Sequence, residues 1–189
     1  MSDALPVTGE PLALDLINTR TSAGDLLATP PALGRWLALE ADRIPETPEK
    51  VTGRELEAVR VLRDHTARAL DHARRGTRPP KADLDALNRL QRAAPVVSEL
   101  SWHEARVALA RRRLGSPGER LTAWLAEAAA EFLARPDVTK VRECEADDCV
   151  LLFLPAHPRR RWCSAARCGN RARVARHYQR HKTGTPEVS

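Results

Sequence analysis

The sequence predicts a mainly α-helical protein of the α+β class, in which a helical N-terminal domain with a small hairpin precedes a compact cysteine-containing module. Two observations favour helices. Ala, Leu, Arg and Glu dominate the composition, and apolar residues recur at helical spacing along most of the chain. A third observation sets the module apart, because all four cysteines lie between residues 144 and 168. The 189 residues suffice for one core and a small appended unit.

Two short helices are predicted at the N-terminal end. Pro11 suits the first turn of a buried helix over residues 10–20. Pro30 opens a second helix, which turns Leu33 and Trp36 inward. Both helices are expected to contribute to a core built from Leu, Ala and Val, since aromatic residues make up only 4% of the chain.

Three longer helices are predicted from local start and stop signals. Thr52–Glu55 and Ser116–Glu119 are capping boxes, in which a hydroxyl accepts from the N3 amide and a carboxylate reaches back to the N-cap amide. The first of these helices is expected to end at Gly76, and Pro79–Pro80 starts the next. Arg135–Pro136 ends the last.

Two hairpins are predicted from alternating residues. Residues 95–113 alternate on either side of Trp102–His103, which favours a hairpin in the helical domain. Val138–Arg142 and Val150–Leu154 have the character of two strands within the cysteine module, after a linker near residues 135–138. The predicted organisation is a helical domain over residues 1–137, the module with a basic helix over 138–183, and a tail over 184–189.

Positive charge is concentrated at the C-terminal end. The formal charge is +6, yet residues 1–140 hold 21 basic and 20 acidic residues, whereas residues 141–189 hold 10 and 5. Residues 157–182 contain nine basic residues and no acidic one. A balanced body with a basic end predicts that this end meets a polyanion, with plain solubility as the alternative.

The first residues have neither a positive n-region nor an apolar h-region. No apolar run approaches the ~18 residues of a membrane span. We therefore expect a cytoplasmic protein that does not enter a membrane.

The cysteines form two C-x4-C pairs separated by thirteen residues: Cys144, Cys149, Cys163 and Cys168. Zinc takes four thiolates at the corners of a tetrahedron, and two close pairs on tight turns meet that need. The first pair brackets the turn-forming Glu145–Asp148, and Ser164 is expected to cap the helix that holds Cys168. We predict one structural zinc ion in a treble-clef-like finger.

Alternatives to this zinc site are disulfides, buried thiols or a redox switch that releases zinc. Disulfides are disfavoured because no secretion signal is evident. A rival ligand set of Cys163, Cys168, His177 and His181 is also disfavoured, since on one helix Cys168 and His177 would lie ~13 Å apart. Four cysteines leave no open coordination position, and no HExxH motif or nucleophile elbow is present, so we do not predict an enzyme.

The candidate nucleic-acid-binding residues are Arg159, Arg160, Arg161, Arg167, Arg171, Arg173, Arg176 and Arg180. Arginine grips phosphate bidentately and can recognise guanine edges. Arg173, Arg176 and Arg180 share one helix face by spacing, while Val174 and Tyr178 are expected to face inward. The alternative is a solvated face, with Arg171 donating to carbonyls of the finger and Trp162 in its core.

Arg160–Ser164 and Cys168–Arg171 resemble the CGNR zinc-finger family. Leu12–Thr19 and Asp25–Pro30 resemble the opening of the ABATE-type domain that precedes the finger in that family. The resemblance covers nearly the whole chain, although the loop after Phe153 is shorter than in the family and an acidic residue usual there is missing.

This resemblance implies zinc on the four cysteines and a bacterial, DNA-binding transcription regulator whose N-terminal domain is a sensor. It also singles out Gly169, for a close backbone approach, and Asn170, for bonds to the local backbone. The family often has Lys where Arg173 stands.

DNA binding in transcription control is thus the predicted function, with a zinc-stabilised protein-interaction adaptor as the alternative. An enzyme in the N-terminal domain is a third hypothesis, for which the sequence shows no catalytic constellation. Asp15, Asn18 and Arg20 are candidates for a ligand pocket, the alternative being helix-end capping and surface charge. A small-molecule effector and a homodimer are further hypotheses.

Overall fold

The computed structural model describes residues 8–182, and within the last helix it leaves out the side chains of residues 176, 177 and 179–182. The start of the chain and the predicted tail over 184–189 lie outside the described residues. The same holds for the side chains of four residues named above: Arg176, His177, Arg180 and His181.

Five α-helices form the N-terminal part: α1 Leu12–Ile17, α2 Pro30–Leu39, α3 Gly53–Arg74, α4 Lys81–Ala93 and α5 Pro117–Leu133. The long helix α3 lies against α4 and α5, and α1 packs on α3 and α5. Their shared core is built mainly from leucines, of which Leu62, Leu70 and Leu121 are fully buried. The predicted mainly helical fold is confirmed. No helix within residues 8–182 is long and apolar enough to cross a membrane.

Both predicted capping boxes are present and fix where α3 and α5 begin. Thr52 Oγ1 accepts from the amide of Arg54 at 3.2 Å, and Glu55 Oε2 accepts from the amide of Thr52 at 2.9 Å. Ser116 and Glu119 repeat the arrangement, with 2.8 Å between the Ser116 amide and Glu119 Oε2. A cap of this kind contributes about 1 kcal/mol to the stability of its helix. Each capping box therefore marks a helix start that can be recognised in the sequence.

A short β-ribbon lies between α1 and α2, and the sequence did not predict it. Its strands are β1 Arg20–Thr21 and β2 Gly24–Asp25, paired antiparallel. Gly24 has a φ of +131°, which glycine tolerates and other residues rarely adopt. The tight turn holds Asp25 against Arg63 of α3, whose guanidinium lies 2.6 Å away.

The hairpin expected over residues 95–113 is present as β3 Val96–His103 and β4 Arg106–Arg113, paired antiparallel along their full length. Glu104 and Ala105 form its two-residue turn, with φ values of +52° and +62°. Both residues therefore have left-handed backbones, which asparagine and glycine adopt more easily. This turn lacks the usual sequence signal.

The finger begins on the helical domain. A 3-10 helix over Pro136–Lys140 replaces both the predicted linker and most of the predicted strand Val138–Arg142. The prediction is wrong there because Val138 and Val141 are buried in the core of the helical domain. The remaining elements are β5 Arg142–Glu143, its partner β6 Leu152–Phe153 and α6 Asn170–Lys182.

Candidate metal centre

The four cysteines converge between the β5–β6 hairpin and the start of α6. All four Sγ atoms lie within 4.8 Å of one another. The Sγ of Cys163 is 3.7 Å from that of Cys149 and 3.6 Å from that of Cys168. Four sulfurs at ~2.3 Å from one zinc ion would stand ~3.8 Å apart at tetrahedral corners. The site therefore fits one zinc ion, and its cysteines are free thiols, not disulfides.

The first cysteine pair lies on a tight knuckle between β5 and β6. The Cys144 amide donates to the Leu151 carbonyl and the Cys149 amide donates to the Ala146 carbonyl, both at 2.9 Å. Asp148 stands on the exposed side of this turn, where its short side chain favours turn formation. The backbone bonds point both sulfurs toward the same side, as a zinc knuckle requires.

The second pair lies around a wide, π-helical turn over Ala165–Gly169. Ser164 caps it as predicted: its Oγ accepts from the Arg167 amide at 3.3 Å, and its carbonyl accepts from the Gly169 amide at 3.0 Å. The wider turn brings Cys168 back over Cys163. Such insertions occur often at functional sites.

Burial opposes ionisation of the Cys149 and Cys163 thiols in the absence of a cation. It raises the pKa of Cys149 to about 11 and also raises the pKa of Cys163. Burial acts on Cys144 as well, but amide hydrogen bonds, one of them from Cys163 at 3.4 Å, bring the pKa of Cys144 below its ordinary value. A bound Zn²⁺ supplies the positive charge that lets all four thiols ionise.

A small apolar cluster surrounds the cysteines, with Phe153 fully buried and Trp162 packed against it. A Cβ built on Gly169 would lie 3.5 Å from the Trp162 ring, an ordinary contact. The close backbone approach that the resemblance implied for Gly169 is therefore not needed for packing. Asn170 accepts a hydrogen bond from Arg173, not from the local backbone as implied.

Arg160 has partners inside the protein. Its Nη2 donates to Glu10 Oε1 and to the Cys163 carbonyl, both at 2.6 Å. Its guanidinium carbon lies 4.5 Å from the centre of the Phe153 ring. With these partners, Arg160 ties the finger to the N-terminal segment.

Two further arginines contact the acidic knuckle. Arg161 Nε lies 2.5 Å from Glu145 Oε2. Arg171 lies 3.8 Å from both Asp148 Oδ2 and Cys168 Sγ. Arg171 thus contacts a carboxylate and a sulfur of the zinc site. The alternative drawn from the sequence was donation to carbonyls of the finger. These pairs are half-exposed and place positive charge beside the thiolates.

The remaining arginines lie on the outside of the finger. Arg159 is exposed, and its side chain has no partner within residues 8–182. Arg167 and Arg173 are exposed as well, although Arg173 Nε donates to the Gly169 carbonyl at 3.4 Å. Val174 and Tyr178 are also exposed, so the inward placement predicted for them is wrong. The described part of α6 projects from the finger into solvent.

Asn18 joins the helical domain to the finger. Its Nδ2 donates to the Leu152 carbonyl at 2.8 Å, and its Oδ1 accepts from the Leu152 amide at 2.9 Å. Glu10 Oε2 accepts from the Leu154 amide at 2.9 Å. Two side chains of the N-terminal segment therefore take the place of a neighbouring strand along β6.

Asp15 is fully buried beneath this junction. Its carboxylate accepts from the amides of Gly9 and Glu10 at 3.0 and 3.2 Å and forms an ion pair with Arg43. Burial raises the pKa of Asp15 to about 6, against the hydrogen bond from Arg43. The contacts of Asp15 hold Glu10 where it can reach the finger.

Arg20 stands apart on the surface, 2.8 Å from Asp64. Asp15, Asn18 and Arg20 therefore each have a partner within the protein, and the ligand pocket hypothesised for them stays a prediction. Sequence reasoning missed Glu10 altogether. No local signal could have found it, because its partner Leu154 is 144 residues away.

Replacement of Asn18 by alanine is expected to lower the free energy of unfolding by about 2–3 kcal/mol, because the Leu152 amide and carbonyl both lose their partner. Equilibrium urea unfolding measures this. Arg20→Ala, two residues away but exposed, is the control and should change stability by less than about 0.5 kcal/mol. Equal stabilities of Asn18→Ala and Arg20→Ala would contradict the prediction.

The comparisons with known proteins agree with this architecture. Residues 10–136 match the ABATE family, described as a putative stress-induced transcription regulator. Residues 140–181 match the CGNR zinc finger. The comparison with curated proteins found no match. Because the first match covers more than half of the 189 residues, the chain belongs to the ABATE family and carries a CGNR zinc finger that can hold one zinc ion on its four clustered cysteines.

Proposed function

We propose that the protein is a transcription regulator that binds DNA through α6 and the adjoining arginines of the finger. One observation carries this proposal: the described part of α6 projects into solvent, with Arg171 and Arg173 exposed. The helix contains no acidic residue. A helix of this kind fits the major groove of B-DNA.

The distribution of charge around the finger favours one side for the DNA. Glu145 and Asp148 lie on the knuckle, where Arg161 and Arg171 compensate them. The knuckle side of the finger therefore has little net positive charge with which to attract a polyanion. The opposite side carries Arg173, with Arg176 and Arg180 on the same helix face by spacing. We place the phosphate contacts there, with Arg159 and Arg167 as flanking contacts.

Zinc has a structural part in this proposal. The ion joins the knuckle to Cys163 and Cys168, and Cys168 lies two residues before α6 begins. It therefore fixes the direction in which α6 leaves the finger. A cytoplasmic location suits such a site, because thiols stay reduced there and keep the metal.

The N-terminal domain serves as the sensor in this proposal. A structural change in this domain would reach the finger through the hydrogen bonds that Glu10 and Asn18 make along β6. A ligand that shifts α1 would move these two side chains and change how the finger is held. Ligand-dependent changes in DNA affinity would identify a small-molecule effector of this kind.

DNA binding is tested with fluorescence anisotropy of the full-length zinc-loaded protein on mixed-sequence duplexes over a range of salt concentrations. The triple variant Arg173→Ala, Arg176→Ala, Arg180→Ala is expected to reduce the slope of log K against log salt by about 3, since each phosphate contact contributes about 0.9. Far-UV circular dichroism checks that α6 is retained.

The matched control is Arg78→Ala, Arg89→Ala, Arg92→Ala, which removes the same charge from exposed positions of the helical domain. It should leave the salt slope unchanged. Equal effects of the two triple variants, or salt-insensitive binding by the unaltered protein, would overturn the proposal. Capture of an acidic protein without any DNA binding would favour the adaptor.

A further inference from the structure

One face of the β3–β4 hairpin exposes four large apolar side chains. Leu100 pairs with Leu109 and Trp102 with Val107, so all four project from the same face. Leu100 and Trp102 are 72% exposed, and Val107 and Leu109 are 63% exposed. No described element packs on these four residues, which form the outer half of the hairpin and are here called the apolar tip.

An uncovered apolar tip is unusual for a stable monomer. A two-stranded hairpin is marginal in water unless one face is packed. An exposed apolar patch of several hundred Å² on a soluble protein is often functional. The tip offers on the order of 500 Å² per chain, so a dimer that covers both tips buries about 1,000 Å² of tip surface, the lower bound for a specific interface.

The same face of the hairpin continues into a groove at its base. The groove holds about 530 Å³ and lies between Val96, Arg111 and Arg113 of the hairpin and Trp124 and Glu131 of α5. Val96 pairs with Arg113 and Ser98 with Arg111, which places these residues on the face of the apolar tip. Tip and groove therefore form one continuous surface.

We propose that a second copy of the chain covers this surface, in a two-fold dimer of antiparallel hairpins. The axis passes through the Leu100–Leu109 row, so these leucines pack on their own copies. Rows on one face follow every second residue, about 7 Å apart. Trp102 of each chain then lies over the Ser98–Arg111 row of the other chain, within its groove.

Charge at the two ends of this surface is complementary. Arg111 has no ion-pair partner among residues 8–182, and it would stack on the indole of the other chain's Trp102. Glu104, in the turn, lies about half the length of the hairpin from the two-fold axis. In the dimer it therefore lies beside the arginines at the base of the other chain's hairpin. A partner with only an apolar surface could cover the apolar tip. It would leave the groove empty and Arg111 without the indole of a second Trp102.

Sedimentation velocity of the full-length, zinc-loaded protein over micromolar concentrations tests the dimer without DNA, so its result is independent of the proposed function. We expect a monomer–dimer equilibrium. Trp102→Glu should weaken it at least tenfold. Ala110→Glu introduces the same charge on the opposite face of β4 and is the matched control. It should leave the equilibrium unchanged.

A charge-swap cycle tests the arrangement of the two copies. Glu104→Arg and Arg111→Glu should each weaken association several-fold, and the double variant should recover part of the loss. A monomer at all concentrations would overturn the proposal. So would a dimer that survives Trp102→Glu, or one that Ala110→Glu disrupts equally. Unchanged far-UV circular dichroism ensures that each variant is folded.

Discussion

Replacement of Cys163 by serine is expected to abolish zinc binding and unfold the finger. The Sγ of Cys163 lies within 3.7 Å of the sulfurs of both Cys149 and Cys168, so its loss opens the centre of the site. A serine hydroxyl stays protonated and is a poor zinc ligand. Apparent zinc-binding free energies of about 10–16 kcal/mol in finger peptides are also folding free energies, which makes this the largest effect expected for a single substitution.

The finger cannot compensate for the metal with its own core. Its apolar cluster contains the cysteines themselves and few larger side chains, chiefly Leu151, Phe153 and Trp162. Units this small usually depend on a metal or disulfides. The helical domain has a separate core of leucines from five helices and should keep its secondary structure.

Zinc content by atomic spectroscopy and thermal unfolding together measure this outcome. The unaltered protein should hold one zinc per chain and lose finger structure on addition of a chelator. Ser164→Ala is the matched control, since it removes a neighbouring cap and no metal ligand, at a cost of about 1 kcal/mol. One zinc per chain in Cys163→Ser, or none in the unaltered protein, would refute the prediction.

The features that the sequence predicted correctly depend on residues close together in the chain. Each capping box spans four residues and forms from its own hydroxyl and carboxylate. Each cysteine pair lies on one turn, so spacing and turn chemistry suffice to bring its sulfurs together. The helical pattern of α3 likewise needs only the period of its own apolar residues.

The features that it could not predict depend on distant partners. The arginines around Arg160 gave no sign of its contact with Glu10, which lies 150 residues away in the chain. Val174 and Tyr178 looked like a core stripe, but both side chains are exposed on α6. In both cases the sequence pattern indicated the type of contact that the side chain can make. Which residues surround that side chain depends on the tertiary structure.

Arg63 shows the same limit within α3. It lies on the inward stripe of the helix between Leu62 and Thr66, and it is 1% exposed. Its guanidinium donates to both oxygens of Asp25 at 2.7 and 2.6 Å. Asp25 is 30% exposed in contrast. The pair therefore joins a buried cation to an anion that water can still reach.

This asymmetry predicts that Asp25→Ala is more destabilising than Arg63→Met. Loss of Asp25 removes the only carboxylate that the buried guanidinium hydrogen-bonds among the described residues and leaves Asp64 at 3.9 Å, at a cost of about 3–5 kcal/mol. Methionine at position 63 fills much of the same space without charge, and the exposed carboxylate of Asp25 can hydrate. We expect Arg63→Met to lose less than half as much stability.

The pH dependence of stability provides an independent check. Hydrogen bonds from Arg63 hold the pKa of Asp25 below its ordinary value of 3.8, although partial burial opposes this. A lowered folded-state pKa stabilises the protein above the ordinary pKa, and that contribution is lost as the pH falls through the folded-state pKa. The difference in unfolding free energy between the unaltered protein and Arg63→Met should therefore shrink in acid.

Equilibrium urea unfolding of both variants, at neutral pH and at the lowest pH where the protein stays folded, measures these differences. Asp71→Ala is the control, because this carboxylate of the same helix pairs with Arg75 on the surface, 2.8 Å away. It should change stability by less than about 1 kcal/mol. A cost of Arg63→Met equal to that of Asp25→Ala would mean that lost packing around Arg63, and not its unpaired charge, determines the stability of this pair.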